Sequence, residues 1–437
     1  MLDLSSSTLR GALSGLLLCS SIVGAKCAGE SSDKHWVDIW ATMPQLVEPA
    51  NLPPAPYNGS TGVFVNSTLR QTVFLTQDAP IIRLTFSNAF GATDLVITAA
   101  SIALPPNNTA GSPSILPNTS LPVTFSNGLT TFTIPPGALA LSDPIHLPTP
   151  ITARSNLAVT LYLASGQPGH LITGHPGSRT TSHAVPGSHL LTADLSTLAS
   201  HKPTDHWYFL SSIDAYLPTT HTALALLGDS ITDGRGSTHN LNNRWPDQLL
   251  SLIRATPSLR PLSTLNLAAG GNRILADGLG PAALARLERD VIAHPGVRAC
   301  LIYIGVNDLG TADPSSASAV ADRLVSAYVQ IAARLHRAGI AALGATITPM
   351  SGPGQTYSDP QREAARGRVN AWIRETKTFD GVVDFDAAVR DPRNATQLRK
   401  ELDTGDYLHL NPEGYRVMAE TVDLGMLERW RGGYRGM

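Results

Sequence analysis

The sequence predicts an α/β protein in which a β-rich, sandwich-like amino-terminal half precedes a doubly wound parallel sheet. Three observations lead there. From about Trp36 to Pro218, short β-favouring runs alternate with turn residues, and Ile82-Arg83-Leu84-Thr85-Phe86 alternates apolar and polar strictly. After Thr219 the texture changes, and apolar strand-length runs alternate with segments of helical period. Finally, 37 glycines and 32 prolines in 437 residues are high for a helical protein and call for many turns. At the usual domain size of roughly 100–200 residues, this length also implies two domains.

Taken in order, residues 1–25 read as a signal peptide. Gly11 to Val23 is apolar apart from serines and one cysteine, and Val23-Gly24-Ala25 closes it with the small residues a signal peptidase reads. The run is too short to span a membrane, and no other stretch could, so secretion without stable membrane insertion is expected. The amino-terminal domain, 30–218, has strands expected at Thr68 to Leu75, Ile81 to Ser87, Leu95 to Leu104, Leu129 to Ile134 and Leu157 to Leu163, with no helix of useful length. Five sequons begin at Asn58, Asn66, Asn107, Asn118 and Asn394. Four of them crowd into this half, which predicts an exposed, glycosylated surface.

The second domain, 219–432, has strands expected at Ala223 to Leu227, Leu262 to Leu267, Ala299 to Gly305, Ala341 to Ile347 and Val382 to Phe385. Helices fall near Trp245 to Arg254, Pro281 to Ala293, Ser315 to Ala338 and Gln361 to Thr376, with a last one from Pro412 to about Trp430. Strand followed by helix, repeated, makes a parallel sheet wound on both faces. Pro246 and Pro281 suit helix starts, where a missing N–H costs nothing, and Gly339 suits a C-cap.

Composition excludes some functions. The formal net charge is −2, with 15% charged residues, so no basic surface for nucleic acid is implied. Three cysteines, Cys19, Cys27 and Cys300, cannot form a disulfide framework; a Cys27–Cys300 bridge stays open, although Cys300 reads as a buried strand residue. His170, His175, His183 and His189 are irregularly spaced in a Gly/Pro-rich loop and read as loop surface or cleft rim rather than a metal site.

The polar residues that matter sit where strands end, the edge at which open parallel sheets bind ligands. Gly228-Asp229-Ser230 closes the first strand and presents a hydroxyl. Asn266 to Asn272 follows the second as a Gly-rich bend whose N–H groups can approach an oxyanion. Gly305-Val306-Asn307-Asp308 after the third supplies a neutral amide donor. Asp406-Tyr407-Leu408-His409 enters the last helix, and an Asp and His three apart on a loop can hydrogen-bond and fix the imidazole tautomer. Each piece alone has an ordinary reading, as turn, cap or surface histidine. Together, in this chain order, they form the set that acyl transfer requires.

These four blocks resemble those of the SGNH, or GDSL-type, esterase and lipase family, over roughly Thr219 to Trp430. The longer run from Gly228 to Thr238, with Asn243-Arg244-Trp245-Pro246-Asp247, is similar to a secreted subgroup grouped with xylanolytic esterases. Its members carry a β-rich amino-terminal extension, which Thr68 to Gln71 and Leu84 to Asn88 resemble. The resemblance implies a flavodoxin-like sheet, Ser230 as nucleophile, His409 as its base and Asp406 orienting His409. It also implies an oxyanion hole from the N–H groups of Ser230 and Gly271 and the Asn307 amide. One departure is that Ala268 stands where the family often has an earlier glycine. No cofactor or metal is implied. The expected substrate is an ester, with short acyl groups on a polysaccharide favoured; a lipase or phospholipase, and a non-catalytic polysaccharide-binding protein, stay open as alternatives.

Overall fold

The computed structural model describes residues 33–436. The signal peptide expected at 1–25, with Cys19 and Cys27, lies outside them. Lys34–Met437 forms one compact unit, so the two sequence textures share a single packed body.

The second half contains a five-stranded parallel sheet in the spatial order Leu262–Asn266, Thr222–Gly228, Val297–Tyr303, Ala341–Ala345, Gly381–Val383. That is the 2-1-3-4-5 order of flavodoxin-like sheets, in which the first strand lies inside and the winding reverses beside it. All seven residues of Thr222–Gly228 are buried, which is why this run carries no polar alternation. The helices start where local chemistry allows. Asp359 caps Pro360–Glu375 by accepting from the N–H groups of Gln361 and Arg362 at 2.8 and 3.1 Å. Asn411 caps Pro412–Thr421 by accepting from the Gly414 N–H at 2.9 Å.

Two expected helices differ. The last divides into Pro412–Thr421 and Leu424–Trp430, because Asp423 turns its carboxylate onto the Gly425 N–H and starts a new N-terminus. The other begins only at Ala283 and passes into a π turn over Glu288–Ile292. Pro281 stays outside it, its carbonyl accepting from Asn272 Nδ2 at 2.8 Å.

The first half contains two larger antiparallel sheets. One orders Lys34–Ala41, Leu210–Pro218, Ala79–Ser87 and Leu139–Leu141, with Ile145–Ile151 also pairing to Ala79–Ser87. The other orders Lys202–Thr204, Ser182–Pro186, Ser67–Phe74, Asn156–Leu163, Ala99–Ala103 and Leu121–Val123. The run expected at Leu95 to Leu104 is two strands, Leu95–Ile97 and Ala99–Ala103, which pair with different partners. Cys300 is a buried thiol in the strand Val297–Tyr303 with no disulfide partner among the described residues, and burial pushes it up to about 12.

The halves are joined by buried polar contacts. Asp38, on the first strand, is fully buried and meets His294 Nδ1 at 2.5 Å, while its N–H donates to Pro295 O at 3.0 Å. Burial opposes the imidazolium, but the Asp38 carboxylate outweighs it and raises the His294 pKa. A raised histidine pKa stabilises the fold fully below the unfolded value of about 6.5, and that contribution is lost as pH rises through the folded value. Removing one partner leaves a buried charge uncompensated, at a cost of roughly 3–5 kcal/mol. His294→Ala is therefore expected to lower stability by about that amount at pH 6 in denaturant titration, and by less at pH 9. An equal loss at both pH values would mean that packing alone is at stake.

Candidate active site

Ser230 is the first residue of a short helix, Ser230–Asp233, that leaves the strand Thr222–Gly228 directly. Asp229 caps that helix through the Ile231 N–H at 3.1 Å, and burial pushes its carboxyl up to about 7. The hydroxyl of Ser230 meets His409 Nε2 at 2.8 Å, and His409 Nδ1 meets Asp406 Oδ2 at 2.6 Å. An ionised carboxylate only accepts, so Nδ1 carries the proton and the lone pair of the neutral ring lies on Nε2, facing the hydroxyl.

The other oxygen of Asp406 accepts from the N–H groups of Leu408 and His409 at 3.0 and 2.8 Å. The turn role and the orienting role, alternatives in the sequence, are thus both filled by one carboxylate. Burial works against its charge, yet the His409 ring and the two N–H donors hold it well below the usual carboxylate range. Asp406 remains an anion, and an acceptor, at any pH near neutrality.

Two further donors face the same cleft. Gly271 holds φ +66 in the bend after the second strand, a left-handed backbone that suits glycine. Neither its N–H nor that of Ser230 has an acceptor within the described residues. Asn307 opens from the short helix Val306–Gly310 after the third strand. Its Oδ1 accepts from the Tyr357 hydroxyl at 2.8 Å and its Nδ2 donates to the Asn272 carbonyl at 2.9 Å. Both ends of the amide are therefore fixed, and the second N–H of Nδ2 is left for a ligand.

Buried groups brace this arrangement. Arg286, 1% exposed, donates to Asn272 Oδ1 from Nε and a terminal nitrogen at 3.1 and 3.0 Å. Asp308 accepts from the N–H groups of Ile274 and Leu275 at 2.9 Å each, tying the second block to the third. Burial raises its carboxyl to about 6.

All five residues expected at the site, Ser230, Gly271, Asn307, Asp406 and His409, line one cleft of about 780 Å³. The sequence did not indicate that the β-rich half forms the opposing wall, through Gln45, Glu48, Asn51, Arg179 and His206. His175 is a correction: it is no rim residue but 3% exposed, its ring bridging Met43 O and Asp233 Oδ1 at 2.9 Å each. Asp233 belongs to the helix that carries Ser230, so this pair fixes the β-rich wall against Ser230. The approach is close: a Cβ at Gly177 would fall 1.7 Å from Asp233 Oδ2. His183 is likewise buried, against His201 and the Gly111 carbonyl. Among the described residues, no group of three or more His, Cys, Asp or Glu side chains is placed to hold a metal ion.

A hydroxyl, imidazole and carboxylate in series at the strand ends of a doubly wound parallel sheet have the geometry that serine-type ester hydrolysis requires. Residues 226–417 match the GDSL-like Lipase/Acylhydrolase family. Solved structures similar to the chain include a putative lipolytic protein of the G-D-S-L family from Desulfitobacterium hafniense DCB-2, 18% identical, covering 46% of this chain and 97% of that one at a TM-score of 0.35. Another is Axe2, an acetylxylan esterase from Geobacillus stearothermophilus, 21% identical over 46% of this chain and 94% of that one, also at 0.35. A putative acylhydrolase from Bacteroides fragilis NCTC 9343 is 18% identical over 48% and 88%, again at 0.35. No curated protein matches this chain in sequence.

Proposed function

We propose that the protein is a secreted esterase that removes short acyl groups, acetyl above all, from a polysaccharide through an acyl-enzyme on Ser230. The observation that carries the reaction is the relay Ser230–His409–Asp406, at 2.8 and 2.6 Å. In the first step Ser230 Oγ bonds to the ester carbonyl carbon while His409 Nε2 takes its proton. The tetrahedral oxyanion is received by the N–H groups of Ser230 and Gly271 and by Asn307 Nδ2. The intermediate collapses, His409 returns the proton to the departing alcohol oxygen, and the acyl group stays on Ser230. Water then attacks the acyl carbon, giving a proton to His409; the bond from the acyl carbon to Ser230 Oγ breaks as His409 returns that proton to Oγ, and the acid leaves with the serine restored.

The β-rich wall supports a glycan alcohol. Gln45, Glu48, Asn51 and His206 offer hydrogen-bonding groups rather than a long apolar channel, which suits sugar hydroxyls better than an extended acyl chain. Among the described residues no helix is long and apolar enough to cross a membrane. Secretion is supported by the apolar leader and the sequons, of which Asn66, Asn107, Asn118 and Asn394 are exposed. The β-rich half as a sandwich-like, substrate-facing domain is part of the same reading.

The test is a panel of p-nitrophenyl esters of rising chain length beside acetylated xylan and other acetylated glycans. kcat/KM is expected to be highest for acetyl or flat, and not to rise towards octanoyl, since an added methylene contributes about 0.8 kcal/mol only where a pocket exists to bury it. A rise with chain length would favour the lipase alternative and overturn the short-acyl reading.

A further inference from the structure

We propose that Arg179 is a substrate-binding residue that selects esters whose saccharide carries a carboxylate, as a uronic acid does. The inference rests on the esterase reading and adds the charge of the substrate to it.

Arg179 lines the cleft together with Ser230 and His409, but its guanidinium has no hydrogen bond or ion pair among the described residues. Its Nε is buried without an acceptor, a costly condition for a donor unless a ligand relieves it. Arg286 and Arg244, buried arginines of this region, differ in that each makes at least one hydrogen bond, with Asn272 and with the Ser178 carbonyl, although each also keeps one buried nitrogen without an acceptor.

The position of Arg179 is imposed from several sides. Its backbone lies in the left-handed region at φ +49, a conformation that persists in a non-glycine residue only where surroundings over-determine it. Asn240 provides part of that constraint. Its N–H donates to the Arg179 carbonyl at 3.0 Å, and its Oδ1 accepts from the Thr181 N–H at 2.8 Å. Ser178 Oγ donates to Thr180 O at 2.7 Å, closing the loop on itself. The side chain therefore extends from a fixed base.

Charge in the cleft narrows the ligand. Asp406 is bound to His409 and Asp233 to His175, while Glu48 accepts from the neutral amides of Gln45 and Asn51. Arg235, exposed on the nucleophile's side of the cleft, adds a second guanidinium without a partner among the described residues. One planar fork matches a carboxylate through two parallel N–H bonds. A phosphate dianion would meet greater repulsion from Glu48.

Methyl glucuronoside, methyl glucoside and glucose 6-phosphate are compared as inhibitors of p-nitrophenyl acetate hydrolysis. The glucuronoside is expected to inhibit about 10- to 100-fold more tightly than the glucoside, the range of a hydrogen bond to a charged group. In Arg179→Gln that ratio should fall towards one, and Arg179→Lys should recover part of it, each read against the variant's own turnover with folding checked by melting. No preference in the wild type, or a preference that survives Arg179→Gln, overturns the proposal; tighter binding of the phosphate overturns the choice of carboxylate. Were p-nitrophenyl acetate not hydrolysed, the same three compounds would be titrated calorimetrically. Arg179-dependent glucuronoside binding would then uphold this inference while the esterase reading fell.

Discussion

Ser230→Ala is expected to lose esterase activity by about 10³-fold or more in kcat/KM while keeping its fold. The size of the loss follows from the division of labour in the relay. His409 Nε2 has one proton donor in reach, the Ser230 hydroxyl at 2.8 Å, so without it no acyl-enzyme forms and only the oxyanion donors and binding remain. The fold should hold because Oγ makes no other hydrogen bond, and the helix cap belongs to Asp229. A methyl hydrogen in place of the hydroxyl leaves no buried group orphaned except the imidazole nitrogen, which faces the cleft. Labelling by a serine-directed phosphonate should disappear together with activity. A folded Ser230→Ala protein retaining more than a few per cent of wild-type kcat/KM would remove Ser230 from the mechanism.

Asn307→Ala is expected to lower kcat by roughly 10²–10³ with KM nearly unchanged, the usual loss of one oxyanion donor. An ester carbonyl carries little charge, whereas the tetrahedral intermediate carries a full one, so a donor fixed before the reaction acts mainly on the transition state. The structure sharpens the prediction, because the amide is held at both ends by Tyr357 and Asn272. Tyr357→Phe, which frees one end, should reproduce part of the effect, about 2- to 10-fold in kcat, as expected of one neutral hydrogen bond. Asn307→Asp should be worse than Ala, since a carboxylate repels the oxyanion. Measuring kcat, KM and Tm on the same preparations separates this role from a structural one, for which lost stability with normal kcat per folded molecule is the expected result.

Much of this site was legible because its signals are local. A Gly-Asp-Ser turn after a fully apolar strand, an amide after the third strand and an Asp-x-x-His loop at a helix start each depend on a few consecutive residues. The four blocks come together because parallel strands bring their carboxyl ends to one edge. Tyr357 was not legible, since nothing near it in sequence marks it as a partner of Asn307, fifty positions away. His175 was misplaced for a related reason: a Gly/Pro-rich context suggests surface, and only packing against Asp233 makes it core.

The sequence by itself determined the change from antiparallel to parallel texture near Thr219, the five strands of the second half to within a few residues, and the residue types available at their ends. These follow from periodicity, burial and turn chemistry, which act over a turn of helix or a single strand. The 2-1-3-4-5 strand order was implied by the family resemblance, whereas only the tertiary structure decided the single compact body and the use of Gln45, Glu48, Asn51 and Arg179 as the far wall of the cleft. Those outcomes depend on which distant surfaces bury one another. The pairs Asp38–His294 and His175–Asp233, separated by 256 and 58 positions, exist only once the chain has closed on itself, because a buried histidine–carboxylate contact has no local signature in either of the segments that meet to form it.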